Sequence, residues 1–205
     1  MTIDSFIKII SPLVIAEGKK RGYRVVSPVI AQAIIEGRYG NSVLASKYHN
    51  HFGLKCGSKW KGKSVNMRTG EEYTPGTHTT INANFRAYNN DIDGVKGYYD
   101  FIATARYANL KNANTPLEYI TNLKKDGYAT SSTYISTLNN TVIKYNLTVY
   151  DNFDLKKSVT AKVVNDVIAG KYGCGDERRI KLTSEGYIYN DVQAAVNSKL
   201  GGKSK

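Results

Sequence analysis

The sequence predicts a mostly helical α+β protein in two parts: a helical lobe interrupted by one small β-hairpin, then a unit of three short helices. Three observations predict it. Apolar residues recur at helical spacing before residue 50 and again from 91 to 147. The stretch between loses that period and gains β-favouring residues around Pro75-Gly76. Near Asp151 the pattern resets, and three further helix-sized segments follow. A chain of 205 residues can hold one domain of ordinary size and a small module.

The first helix is carried by Phe6, Ile7, Ile10, Leu13 and Val14, and Ser11-Pro12 predicts an interruption or restart within it. "VVSPVIAQAIIEG" follows, with Ser27 as N-cap, Pro28 at the first helical position and Gly37 as the stop. On this helix Val29, Ile30, Ala31, Ala33, Ile34 and Ile35 point in nearly every direction, so most of its surface is expected to be buried. Only Gln32 and Glu36 are polar, and at i and i+4 they share a face. That face is expected to look into a cleft or toward a partner.

Glu36 closes the helix at its negative pole among apolar neighbours, and both surroundings push its pKa upward. A carboxyl protonated near neutrality is what a general acid requires.

From Lys55 to Tyr73 glycines, lysines and polar residues replace the periodicity, and "SVNMRTGEEYTPGTHTTINANF" reads as two short strands around Pro75-Gly76. Helices resume in "DIDGVKGYYDFIATARY", in "TPLEYITNLKKDGY" with Thr115, Pro116 and Glu118 arranged as a capping box, and in "STYISTLNNTVIKYN". "YDNFDLKKSVT" reads as a linker. Beyond it "AKVVNDVIAG", "DERRIKLTSEG" and "NDVQAAVNSKL" form the three-helix unit, with Gly170 and Gly186 at helix ends. The expected boundaries are 1–150, a linker at 151–159, a module at 160–200 and a disordered tail at 201–205.

Composition narrows the function. A hydrophobic fraction of 41% with 22% charged residues is that of a folded soluble protein. No apolar run approaches the roughly 18 residues of a membrane span. The early Asp4, with Lys8 and Pro12 breaking the apolar residues, reads as a mature start without a classical export signal. Cys56 and Cys174 make no disulfide framework. His49, His51 and Cys56 lie close in sequence, but the further ligands a metal would need are not evident, so neither metal nor cofactor is expected.

The formal net charge is +12, with 19 basic against 10 acidic residues before position 151 and 10 against 7 after it. Such a surface attracts polyanions, a nucleic acid or a wall bearing acidic polymers. The lysines are scattered and no helix-turn-helix or RNA-binding signature is visible, so nucleic acid is not the expected partner.

"AQAIIEGRYGNSVLASKYHNHFGLK" resembles the signature of glycoside hydrolase family 73, β-N-acetylglucosaminidases of peptidoglycan, whose usual form is A-Q-A-x-x-E-S-G-W-G-x-S-x-L-A followed by N-x-F-G-x-K. Ala31, Gln32, Ala33, Glu36, Gly40, Ser42, Leu44, Ala45, Asn50, Phe52, Gly53 and Lys55 keep the pattern, and Gly37-Arg38-Tyr39 depart from Ser-Gly-Trp. "EEYTPG", "ANFRAYNNDIDGVKGYYDFI" and "ARY" extend the likeness, which spans roughly residues 3–147. It implies a lysozyme-like fold, with a glycan cleft between a helical lobe and a small β lobe. Glu36 would protonate the leaving glycosidic oxygen, and a hairpin glutamate would be the second carboxylate. Neighbouring strand residues face opposite ways, so Glu71 and Glu72 both stay open on physical grounds, and the resemblance favours Glu72. The implied substrate contacts are Gln32, Tyr39, Asn50, Arg86, Tyr88 and Tyr107, while Phe52 and Phe85 read as core.

"VVNDVIAGKYGCGDERRIKLTSEGYIYNDVQAAVN" resembles the CW-seven cell-wall-binding repeat found at the ends of some phage lysozymes, with Tyr172 and Cys174 in place of the usual Trp and Asn. Val167, Leu182, Val192 and Val196 have the spacing of bundle core. Arg178 and, more weakly, Tyr187 are the ligand candidates, because a guanidinium grips a carboxylate with two prongs.

The two resemblances together imply a phage or prophage endolysin that cuts peptidoglycan on the reducing side of N-acetylglucosamine. It is expected as a monomer, without membrane insertion, held in the host cytoplasm until released to the wall. A muramidase of the same fold, a secreted autolysin, and a wall-binding protein with an inactive lobe are the alternatives.

Overall fold

The computed structural model describes residues 1–74, 77–151, 157–187 and 189–201. Side chains are described throughout these except at 70–74, 77–79, 176, 180, 183, 184 and 190. The chain divides into two compact units, Met1–Asp151 and Asn152–Lys205.

In the first unit, helix α1 runs Ile3–Lys20, α2 Ser27–Glu36 and α3 Val43–Tyr48; strands β1 and β2 run Ser64–Thr74 and Thr77–Arg86; α4 runs Asp91–Ile102, α5 Pro116–Lys125 and α6 Tyr134–Lys144. Two 3₁₀ segments, Ala105–Asn112 and Leu147–Tyr150, follow α4 and α6. Pro12 does not interrupt α1, contrary to the expectation from the sequence. A proline removes the bond to the carbonyl four residues earlier. Here that residue is Lys8, which is exposed, so water can serve the orphaned oxygen and the helix runs on.

Helix α2 lies at the centre. Every residue from Ser27 to Ile34 is buried, and α1, α5 and α6 pack around it. Burying each of Val29, Ile30 and Ile34 is worth about 1.5–3 kcal/mol. Ser27 does not cap this helix with its own side chain. The cap comes from the far end of the unit: Asp151 Oδ1 accepts from the backbone N–H of Val26 at 2.7 Å and of Ser27 at 2.8 Å, and Oδ2 accepts from the Ser27 hydroxyl at 2.7 Å. A carboxylate at a helix N-terminus satisfies free donors and meets the positive pole. Asp151, expected as the first linker residue, therefore belongs to the first unit. Asp151→Ala strips three hydrogen bonds from the central helix, and urea unfolding should show a loss of about 1–2 kcal/mol.

The two strands make one antiparallel ribbon, 11 and 10 residues long rather than short, with Ser64 opposite Arg86 and Glu72 opposite His78. Pro75-Gly76, the expected turn, lies outside the described residues. Val65, Met67, Ile81 and Ala83 are half-buried on one face, while Asn66, Arg68, Asn82 and Asn84 are exposed on the other. At its base the ribbon gains the 54–56 segment: Arg86 N donates to Leu54 O at 2.9 Å and Cys56 N to Asn84 O at 2.7 Å. The capping box at α5 forms, although Glu118 Oε2 accepts from Asn114 N rather than from the cap residue itself.

The second unit contains α7 (Ala161–Ile168), α8 (Gly175–Ser184) and α9 (Tyr189–Gly201). Its core is Val163, Val164, Val167, Leu182, Val192 and Val196, with Tyr172, Tyr187 and Tyr189 packed against it. Gly170 and Gly186 both adopt positive φ after their helices. Of the expected linker, 152–156 lie outside the described residues, as do 202–205 of the tail.

Candidate active site

Glu36 is the last residue of α2, and the chain turns sharply beyond it. Arg38 and Tyr39 both take left-handed conformations, at φ 47 and 42, costly for residues with side chains. Ser42 caps the next helix by accepting from Ala45 N at 3.1 Å. Glu36 itself is exposed, yet protein crowds around its carboxyl. That crowding strips away hydration, disfavours the charged form, and raises the pKa to about 7. No described residue pairs with the carboxyl, so nothing stabilises its charge. A Cβ placed on Gly53 would lie 3.7 Å from Glu36 Oε2, which puts the 50–54 loop against the acid.

Two tyrosines that the sequence reading passed over flank Glu36. Burial, with the Glu36 charge as a further cause, raises the pKa of both Tyr128 and Tyr134. Tyr128 donates to Phe52 O at 3.0 Å and stacks on Tyr134, ring centres 6.2 Å apart. Behind them Tyr98 stacks on Phe52 at 4.2 Å, donates to Gln32 Oε1 and meets the Tyr119 hydroxyl at 3.1 Å. Gln32 Nε2 donates to the Tyr134 hydroxyl at 3.0 Å. No spacing rule singles out Tyr128 or Tyr134, because they come from the start of α6 and the turn before it and reach Glu36 only in space.

The expected substrate contacts divide. Gln32 is 0% exposed and bound into the tyrosine network, so it braces the site from within and does not line it. Asn50 is 1% exposed; its amide donates to Leu54 O at 2.9 Å and Arg86 O at 2.8 Å, and its oxygen accepts from Leu54 N at 3.0 Å. Both its donors are spent on the loop. Tyr107 is 2% exposed and packs on Phe101 at 5.3 Å, in the 3₁₀ segment and not at the end of α4. All three are buried and engaged with protein groups, from where they shape the site. Tyr39, Arg86 and Tyr88 are half-buried. Glu72 sits in β1 opposite His78, and its side chain, like that of Glu71, lies outside the described residues.

His49 and His51 both contact Asp91 Oδ1 at 2.7 Å, tying the 49–54 loop to the start of α4. Burial opposes ionisation of Asp91, but the bonds from His51 and His49 outweigh it and hold the carboxyl below its usual range.

In the second unit Arg178 Nε donates to Gly173 O and Nη1 to Gln193 Oε1, both at 3.1 Å, which leaves the rest of its fork to other acceptors. Tyr187 is half-buried against the core, with the Lys157 ammonium 5.4 Å from its ring centre.

The family model described as mannosyl-glycoprotein endo-beta-N-acetylglucosaminidase matches residues 11–147, and a CW_7 repeat matches residues 161–200. Among curated relatives, the exo-glucosaminidase LytG of Bacillus subtilis is 33% identical over 197 residues, 89% of this chain and 68% of that protein. The peptidoglycan hydrolase FlgJ of Pseudomonas aeruginosa is 34% identical over 112 residues, 52% of this chain but 28% of that protein. Among solved structures, the catalytic domain of the autolysin Auto from Listeria monocytogenes superposes with a TM-score of 0.62 at 32% identity, covering 72% of this chain and 86% of that one.

Proposed function

This chain belongs to the mannosyl-glycoprotein endo-beta-N-acetylglucosaminidase family and carries a CW_7 repeat behind that domain; on this premise we propose that it cuts the β-1,4 bond on the reducing side of N-acetylglucosamine in peptidoglycan. It is a glycoside hydrolase with the helical, lysozyme-like fold and small two-stranded sheet of its relatives, and its class is that of the peptidoglycan hydrolases. The single observation that carries the mechanism is Glu36: a carboxyl without a partner among the described residues, its pKa raised to about 7.

In this reading the protonated Glu36 carboxyl delivers its proton to the glycosidic oxygen as the bond breaks, and the unpaired anion left behind can take a proton back from solvent. Tyr128 and Tyr134, neutral throughout, wall one side of the acid and limit its hydration. Glu72, on the ribbon, is proposed as the second carboxylate, activating water or acting as nucleophile. Tyr39 and Tyr88 offer sugar-facing rings. Arg178 and Tyr187 of the repeat are proposed to hold a muropeptide, so the enzyme works at raised local concentration on the wall. The proposed domain limits are 1–151 for the catalytic unit and 160–200 for the repeat. Assignment as a phage or prophage endolysin rests on the resemblance of the repeat to those ending phage lysozymes.

Purified walls treated with the protein, reduced with borohydride and read by mass spectrometry test the bond assignment. Reduced N-acetylglucosamine at the new ends is expected. Reduced N-acetylmuramic acid instead would make the protein a muramidase.

A further inference from the structure

Trp60, Arg86 and Phe101 form a stack beyond the acid. The Arg86 guanidinium carbon lies 4.6 Å from the Trp60 ring centre and 5.4 Å from that of Phe101. Phe101 in turn meets Tyr128 edge-on at 6.0 Å, so this stack continues the aromatic wall that begins beside Glu36. Trp60 and Arg86 are each anchored by a hydrogen bond to backbone. Trp60 Nε1 donates to Lys63 O at 3.0 Å, and its ring lies over Gly62, where a Cβ would come within 2.4 Å of it. Arg86 terminates β2, and its Nε donates to Lys55 O at 3.3 Å.

That leaves Nη1 and Nη2, with the Tyr88 hydroxyl within hydrogen-bonding reach of the guanidinium and no carboxylate partner among the described residues. That Tyr88 hydroxyl is buried. Burial raises the pKa of that hydroxyl, and the charge of Arg86 together with a side-chain hydrogen bond to it opposes the rise. A guanidinium cushioned on aromatic faces is held in one plane, and its open fork matches the two oxygens of a carboxylate.

We propose that the Trp60–Arg86–Phe101 stack is a carboxylate receptor that reads the acidic substituent of a muramoyl residue lying away from the cleaved bond. The proposal rests on the reading of peptidoglycan as substrate, and it adds that the glycan's charge, supplied by a lactyl or a stem-peptide carboxylate, sets how strongly a strand is held. Neutral β-1,4 glycans are poor ligands for this stack.

Trp60 is the chain's single tryptophan, so fluorescence excited to the red of the absorption of the 16 tyrosines reports on this stack. The experiment titrates the full chain, in a Glu36→Gln background to prevent turnover, with four ligands: the N-acetylglucosaminyl-N-acetylmuramic acid disaccharide, its lactyl amide, a disaccharide-peptide whose carboxylates lie only in the peptide, and the fully amidated form of that peptide. In at least one pair the carboxylated ligand should bind about tenfold or more tightly than its amide. The pair that shows this identifies the source of the charge. Arg86→Gln should erase the difference, and Arg86→Lys, a point charge without the fork, should keep only part of it.

Equal affinity within both pairs, which needs no Arg86 variant to observe, overturns the proposal. So does a preference that survives in Arg86→Gln, or silence of Trp60 toward all four ligands while the unmodified protein still degrades walls. If the unmodified protein releases no reducing ends from walls, the peptidoglycan reading falls and takes this one with it.

Discussion

Glu36→Gln is expected to lower glycan cleavage about 10³-fold, within the range typical of general acid–base catalysis, while wall binding through the repeat persists. The amide keeps the shape of the carboxyl but has no proton to give. In the unmodified protein the acid works only while protonated, so kcat/KM should decline as pH rises through about 7, the value to which crowding lifts this group. Stability gives an independent check on the same group. Between the ordinary carboxyl value of 4.5 and about 7, the folded protein holds a proton that the unfolded chain has lost, so folding stability falls as pH climbs through that window. The uncharged amide of the variant carries no such penalty. The stability of the variant relative to the parent should therefore improve from pH 5 to pH 8 in paired urea titrations. Full activity in the variant, or an alkaline limb that is unchanged by it, would refute the role assigned to this residue.

Gly94→Ala should cost about 2–3 kcal/mol of stability, the upper part of the usual overpacking range. A Cβ at this position would stand 2.0 Å from the His49 carbonyl oxygen. The obstacle is backbone, and it has little room to retreat. His49 is already in a left-handed conformation at φ 53, and its ring is tied to Asp91 on the same helix as Gly94. Gly97 offers an instructive contrast, since the atoms nearest a Cβ there belong to the Tyr88 side chain and not to backbone. Forcing α4 off the 49–54 loop would also displace Gly53 from beside the Glu36 carboxyl, so activity should fall along with the urea midpoint. An unfolding midpoint equal to that of the parent would show that the loop and helix are not in the contact described.

The features legible in the sequence are those fixed by neighbours along the chain. Pro28 and Gly37 bound the central helix as their preferences dictate, the loss of periodicity after Lys55 marks the ribbon, and three glycine-punctuated segments become α7, α8 and α9. The direction of the Glu36 shift was legible from its apolar helix, whereas the 50–54 loop that crowds the carboxyl reaches it only in space. Long-range choices were not legible. Asp151 reads as a linker residue until the fold carries it to the start of α2, 124 positions away from Ser27. Gln32 shares a helical face with Glu36, but the sequence does not say that Tyr98 and Tyr134 will meet it there and close it off from solvent. Pro12 looks like a break because a missing donor is costly when buried, and only the exposure of Lys8 makes it tolerable.

The quartet of Gln32, Tyr98, Tyr119 and Tyr134 has a bearing on how such a protein can diverge. Each member satisfies another in the dry interior, so exchanging one for an aliphatic residue strands its neighbours' polar atoms, whereas exchanging several at once removes donor and acceptor together. Lineages descending from this chain should either inherit the four as a block or lose them in concert, because the intermediate steps pass through the least fit combinations.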